Sequence, residues 1–330
     1  MWACFPGLPE RGQSEANIEA REWHGGDVVY PGAELRGGRD CVEQSGMGIG
    51  KTSVYRAVQA VVKQVPGLQR EKLLTGYKTQ AVGADVTSVR CNGQWVTIGV
   101  VVDAISGMVL SIDALPGEEV EQLQAWLEPI LDAVDADVVV SDDADAFKTV
   151  SDKSGRWQQV CKSHVGRNTD ALVAELSATL EAGQDHSLDV IGVTPEQALE
   201  DLASLKEMIH SRHPKDQARL EEISLRYADA RKPGKGKKYS LAYRLRLLFM
   251  DRWNLWPRLT FYRNWKDEDG NEILDGTNNA CERAIGWWIK ERYRSMRGYK
   301  QEQSALGISR LIACAGNHLA HGLDLADLMA

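Results

Sequence analysis

The chain has 330 residues, of which 43% are hydrophobic and 26% charged, and its formal net charge is −8 at pH 7. At about 150 residues per domain this is material for roughly two domains with a real core, and the fractions exclude a collagen-like repeat, a disordered acidic tail and a disulfide scaffold. No apolar run approaches the ~18 residues that span a bilayer, and Met1-Trp2-Ala3-Cys4-Phe5-Pro6 lacks the length and basic lead of a signal peptide, so a cytoplasmic protein with no membrane partner is expected.

The six cysteines (4, 41, 91, 161, 281 and 314) contain no C-x2-C pair, which points to reduced thiols rather than bridges or a zinc ribbon. The acidic average conceals an asymmetry. Between Arg231 and Arg263 stand ten Lys or Arg against one acid, Asp251; a second set, Arg283, Lys290, Arg292, Arg294, Arg297, Lys300 and Arg310, meets only Glu282, Glu291 and Glu302. The C-terminal third is therefore suited to a polyanion.

In chain order, residues 1–45 are rich in Gly, Pro, Glu and Arg without periodicity, and a poorly ordered arm is expected there. Over 52–65 the apolar residues Val54, Tyr55, Val58, Val61, Val62 and Val65 recur at three and four, predicting an amphipathic helix that Pro66-Gly67 stops. The period then becomes that of strands: 81–89, a turn at Asn92-Gly93, 95–102, a turn at Ser106-Gly107, and 108–112. Three strands joined by tight turns make an antiparallel meander. Pro116-Gly117-Glu118 opens a helix whose Val120, Leu123, Leu127, Ile130, Leu131 and Val134 share a face, leading to the apolar run 137–141, typical of a buried parallel strand. A weaker fifth strand is expected at 157–161.

This β-β-β-α-β-α-β order, with the fourth strand parallel to the first, is that of an α/β ribonuclease-H-like core. From 169 to about 262 the pattern is helical, with a capping box at Thr194-Pro195-Glu196-Gln197 and a basic loop at 231–238. One last helical region is expected from about Asn278 toward His318. The expected organisation is an arm at 1–45, a helix-turn-helix-like segment at 46–75, the first part of the catalytic core at 76–168, a helical insertion with the basic loop at 169–270, and the C-terminal helical part of the core at 271–330.

Asp85 interrupts the apolar first strand, a position that β-propensity disfavours. Asp142 and Asp143 follow the fourth strand, where open α/β sheets place their ligands and a parallel neighbour approaches Asp85. Carboxylates a few Å apart repel unless a cation lies between them, which suggests Mg²⁺ or Mn²⁺. Glu282, near the start of the basic final helix, is the candidate third acid of a two-ion site.

Asp85 on a first strand, Ser141-Asp142 after a fourth, Cys161-Lys162-Ser163-His164 past a fifth, a long helical insertion and Asn278-Asn279-x-x-Glu282-Arg283 on a final helix together resemble DDE transposases of bacterial insertion sequences. The closest look is to those related to Mutator elements with a C-x2-H. The resemblance covers about residues 50–320. It implies that Asp85, Asp142 and Glu282 are the catalytic, metal-binding triad with two Mg²⁺ or Mn²⁺ ions, and that Cys161, His164, Asn278 and Asn279 are motif residues, the first two structural or DNA-contacting. Between the adjacent aspartates it favours Asp142, because the family's acid directly follows the last small residue of the strand. It further implies DNA partners (element terminal repeats and target DNA), a dimer or higher assembly, and a place on the nucleoid in the cytoplasm.

The first helix is also similar to a recognition helix, with Lys51, Ser53 and Arg56 placed to reach DNA. The other expected DNA contacts are Lys235, Lys237, Lys238, Arg292, Arg294, Arg297 and Lys300, through phosphates. Trp287, Trp288 and Tyr293 read as packing residues that fix the catalytic helix. Gly46-Met-Gly-Ile-Gly50-Lys51-Thr52 imitates a phosphate-binding loop, but Ser45 stands where its first glycine is required. Bound zinc is not expected, since Cys161 and His164 have no partners at ligand spacing. The alternatives to transposition are a catalytically idle, domesticated DNA-binding derivative and, less favoured, a P-loop NTPase acting on DNA.

Overall fold

A computed structural model describes residues 51–68, 75–183, 185–295 and 302–320. The expected arm at 1–45 and the glycines at 46, 48 and 50 lie outside them. Helix α1 (Lys51–Leu68) runs through Pro66-Gly67, where the sequence predicted a stop. A proline in the final turn forfeits a single backbone hydrogen bond and its fixed φ is already helical. Val65 is buried against Cys314 and Leu311.

The meander consists of β1 (Ala81–Cys91), β2 (Gln94–Asp103) and β3 (Val109–Leu115). Asn92 and Gly93 both adopt positive φ, 49° and 84°, the requirement of a two-residue turn that matches strand twist. Asp103 is buried at the end of β2, where it accepts from Thr79 Oγ1 at 3.0 Å, Ile105 N at 2.8 Å and Ser106 Oγ at 2.8 Å, and also from the Tyr77 hydroxyl. Helix α2 (Val120–Val134) turns Leu123, Leu127, Leu131 and Val134 inward. Then come β4 (Val138–Ser141), α3 (Asp145–Ser154), β5 (Trp157–Val160) and α4 (Lys162–Glu181).

The strand order is β3-β2-β1-β4-β5, with β1–β2 and β2–β3 antiparallel and β1–β4 and β4–β5 parallel. This is the ribonuclease-H-like arrangement. All four residues of β4 are buried, as expected for a strand covered on both faces. On one face Val82, Ala84, Val101 and Val139 pack with Leu123, Leu127 and Leu131 of α2. On the other, Ile98, Val100 and Val102 pack with Cys281, Ile285 and Ala305.

Helices α5 (Pro195–Ser211), α6 (Asp216–Arg226) and α7 (Leu241–Leu259) form a separate core with α4, built on Leu176, Leu202, Leu205, Leu220, Leu245, Phe249 and Trp256. Thr194 caps α5 by accepting from Gln197 N at 3.2 Å. The chain is stitched back to the sheet by Gln159, whose side chain donates to Leu259 O at 3.2 Å and accepts from Tyr262 N at 2.8 Å; Tyr262 lies in the short α8 (Phe261–Asn264).

The predicted last helix is interrupted. It comprises α9 (Asn279–Ala284), a π-helical turn (Ile285–Lys290), α10 (Glu291–Ser295) and α11 (Glu302–Ala320), with 296–301 outside the described residues. The buried side chain of Asn317 donates to Val109 O at 2.7 Å and accepts from Val109 N at 3.0 Å, fastening α11 to the edge strand β3. No helix among the described residues is long and apolar enough to cross a membrane.

Candidate functional site

Strand register determines where the first two acids lie. Ala81, Val82 and Gly83 of β1 pair with Val138, Val139 and Val140 of β4, and continuing that register brings Asp85 level with Asp142. Side chains alternate along a strand, so Asp85 and Asp142 share the face of Gly83 and Val140, the face on which Asn278 and Cys281 approach.

Asp143 takes the opposite course. It lies 2.7 Å from Lys148 Nζ and 3.8 Å from the guanidinium of Arg252, and Arg252 is itself buried, donating to Thr169 Oγ1 at 2.8 Å and to Asp251. Two adjacent aspartates thus have separate surroundings: one ties the strand end to α7 through cations, the other faces further acids.

The approach of α9 rests on Asn278, which is almost wholly buried. Its side chain donates to Ala84 O at 3.0 Å and its backbone N–H to Cys161 Sγ at 3.3 Å, while its carbonyl accepts from Glu282 N at 3.0 Å. Cys281 adds a bond to Val100 O at 3.4 Å, and Lys162 N donates to Gly276 O at 2.9 Å. A Cβ at Gly83 would come 2.7 Å from Asn278 Oδ1, so this close approach requires glycine. Asn279 is exposed.

Glu282, one turn beyond Asn278, is thereby brought to the face of Asp85. Burial pushes the Asp85 carboxyl up to about 6, and the nearby charges of Asp142 and Glu282 add to the rise; the Val86 N–H, at 2.7 Å, and His164 act against it. Glu282 Oε1 is buried without a hydrogen-bond partner and lies 3.6 Å from His164 Nδ1. Asp142 accepts from Ala144 N at 3.1 Å. Beside Glu282 an open groove is lined by Asp275, Asn279, Arg283, Gly286 and Trp287.

These donors fit a hard divalent cation. The charges of Asp142 and Glu282 bear on Asp85, Glu282 Oε1 is buried with no hydrogen-bond partner, and Asp85 is an acid whose charge its surroundings disfavour. Cys161, His164 and Glu282 also present donor atoms within 4.8 Å of one another. Chain separation hid this grouping, because His164 and Glu282 are brought together by long-range attachments, that of Asn278 to Ala84 and Cys161 among them.

The expected DNA contacts are scattered. Lys235, Lys237 and Lys238 are exposed on the 231–238 loop, Ser53 and Arg56 are exposed on α1, and Arg294 is exposed 3.7 Å from Glu291. Arg292 is half-buried, the side chain of Lys51 is not described, and Arg297 and Lys300 lie outside the described residues. The basic count overstated the free charge: Arg244 pairs with Glu175, Arg252 with Asp251, Arg258 with Asp152 and Arg263 with Glu272. Trp288 and Tyr293 pack against the sheet as expected, whereas Trp287 is 56% exposed.

No family model matches the chain, and no curated protein matches it. Among solved structures it is similar to the HTLV-2 integrase catalytic core domain in complex with magnesium, in a trimeric form, at 17% identity over 38% of this chain and 83% of that one, with a TM-score of 0.23. It is also similar to the catalytic core domain of BIV integrase, at 12% identity over 59% of this chain and 91% of that one, with a TM-score of 0.22. The class, a ribonuclease-H-like α/β fold, rests on the strand order and register of this chain itself.

Proposed function

We propose that the chain is a DDE-type transposase that cleaves DNA at the ends of a mobile element and transfers the strand to target DNA. What supports this reading is that Asp85 and Asp142 share one face of the sheet and that the charges of Asp142 and Glu282, remote in sequence, bear on Asp85, while among the described residues backbone N–H groups and His164 are what answers these acids. A structural acid cluster would be compensated by cations, as Asp143 is.

Asp85 and Asp142 would flank two Mg²⁺ or Mn²⁺ ions and Glu282 would hold the second. Bound there, the ions supply Lewis acidity for activating water or a 3′-hydroxyl and stabilising the leaving oxygen. Asn278 holds the Glu282 helix against β1, and the groove lined by Arg283 and Trp287 receives the DNA. The helical segment 169–270, with Lys235, Lys237 and Lys238, grips the phosphate backbone together with Arg292, Arg294, Arg297 and Lys300, and the segment around Lys51, Ser53 and Arg56 contacts the element end. Joining two ends calls for a dimer or higher assembly.

The test is cleavage of end-bearing DNA with Mg²⁺ or Mn²⁺. Asp85→Asn, Asp142→Asn and Glu282→Gln each lose roughly a thousandfold or more in rate while retaining DNA binding, whereas Asp143→Asn stays within about tenfold of the wild type. Wild-type rates in all four would overturn the reading, and loss confined to Asp143→Asn would transfer the role to that residue.

A further inference from the structure

The three-acid reading leaves Cys161 and His164 without a task, yet both lie against Glu282. The separation of 3.6 Å between His164 Nδ1 and Glu282 Oε1 exceeds a hydrogen bond, and both atoms are buried without a hydrogen-bond partner. It is close to the distance, about 3.5 Å, that separates neighbouring N and O ligands around a tetrahedral zinc ion bonded at about 2.0–2.2 Å. Cys161 Sγ completes a set whose members all lie within 4.8 Å of one another, so closing the widest separation around a zinc ion takes about 1 Å of movement. Glu282 is only half-buried and has the rotamer freedom to supply it.

Cys161 immediately precedes α4, and Asn278 N–H donates to its sulfur at 3.3 Å, which fixes the position of the sulfur beside Glu282. Thiolate and imidazole are ligands that zinc takes readily and magnesium declines.

We propose that Cys161, His164 and Glu282 form a zinc-binding site of three protein ligands with an open fourth position, adjoining the three-acid site and sharing Glu282 with it. Zinc held there engages Glu282 and withdraws it from Asp85 and Asp142, so zinc inhibits the magnesium-dependent reaction. The inhibition rests on the function proposed above; the binding does not.

The test titrates Co²⁺, a spectroscopic substitute for zinc, into the full chain with a non-chelating phosphine reductant. One equivalent should raise a thiolate-to-cobalt charge-transfer band that stoichiometric zinc abolishes and excess magnesium leaves in place. The band should persist in the Cys4→Ser/Cys41→Ser double variant and disappear in Cys161→Ser. Because Cys161 is buried, the half-buried ligands provide a check that does not disturb the core: His164→Ala and Glu282→Gln should each weaken cobalt binding at least tenfold. No band in the wild type, a band persisting in Cys161→Ser, or unchanged affinity in both His164→Ala and Glu282→Gln would overturn the site. Magnesium-dependent cleavage without a cobalt band removes the zinc site alone, and a cobalt band without cleavage removes the transposase reading alone.

Discussion

Asp201, in the helical region, is 2% exposed and accepts from Arg226, from the Tyr227 hydroxyl at 2.9 Å and from the Gln197 amide at 3.3 Å. Asp85, on the sheet, is also largely removed from water but accepts only the N–H of the next residue, and the carboxylates of Asp142 and Glu282 bear on it. The helical region surrounds its acid with donors, and burial together with Asp201 raises the Tyr227 hydroxyl far above its ordinary value. The sheet assembles acids that disfavour one another's charge. A cost tolerated at one site and avoided at another is the pattern on which the proposed metal-binding role of the first rests.

Removing each acid gives opposite results if this contrast is real. Asp201→Ala leaves Arg226 and Tyr227 without their buried partner and should cost about 3–5 kcal/mol of unfolding free energy in a urea titration; a loss under about 1 kcal/mol would erase the distinction. Asp85→Asn should stabilise the metal-free protein. The native carboxyl titrates near 6 and the unfolded one near its ordinary 3.8, so the native state binds more protons between those values. Stability therefore falls as pH rises through that window, and the cost is complete above it. In the presence of a chelator the variant should gain about 2–3 kcal/mol at pH 8 and nothing at pH 3.5. A gain independent of pH would place the effect outside this ionisation.

The smallest effect on folding should come from the exposed loop. Lys235→Ala/Lys237→Ala/Lys238→Ala should change stability by less than about 0.5 kcal/mol while lowering DNA affinity at low salt and reducing the steepness of its salt dependence. Unaltered salt dependence would show that the loop does not meet phosphate.

The part of this architecture that depends on near neighbours was legible in the residues. Asn92-Gly93 marks its hairpin because two consecutive positive φ values demand such a pair, and the apolar run before Ser141 marks a strand covered on both faces. Asp85 stood out because an acid is misplaced in such a strand. The juxtaposition of Glu282 with His164 was not legible, since it depends on one buried amide, Asn278, reaching across to Ala84. Nor was the fate of Arg252, whose charge reads as available until its burial between Thr169 and Asp251 is known. The π-helical turn at Ile285–Lys290 was not legible either, because its apolar residues Ile285 and Ile289 keep the i, i+4 spacing of an ordinary helix.

The fastening of Asn317 has an architectural consequence. Its amide bonds both backbone groups of Val109, and Arg310, two turns earlier in α11, donates to Ile112 O at 2.6 Å. At these points the rim of the β-sheet is already spoken for, so a second molecule could not extend the sheet there by main-chain pairing. Whatever meets the molecule at this rim has side chains to recognise, on a surface free to diverge without disturbing the strand beneath.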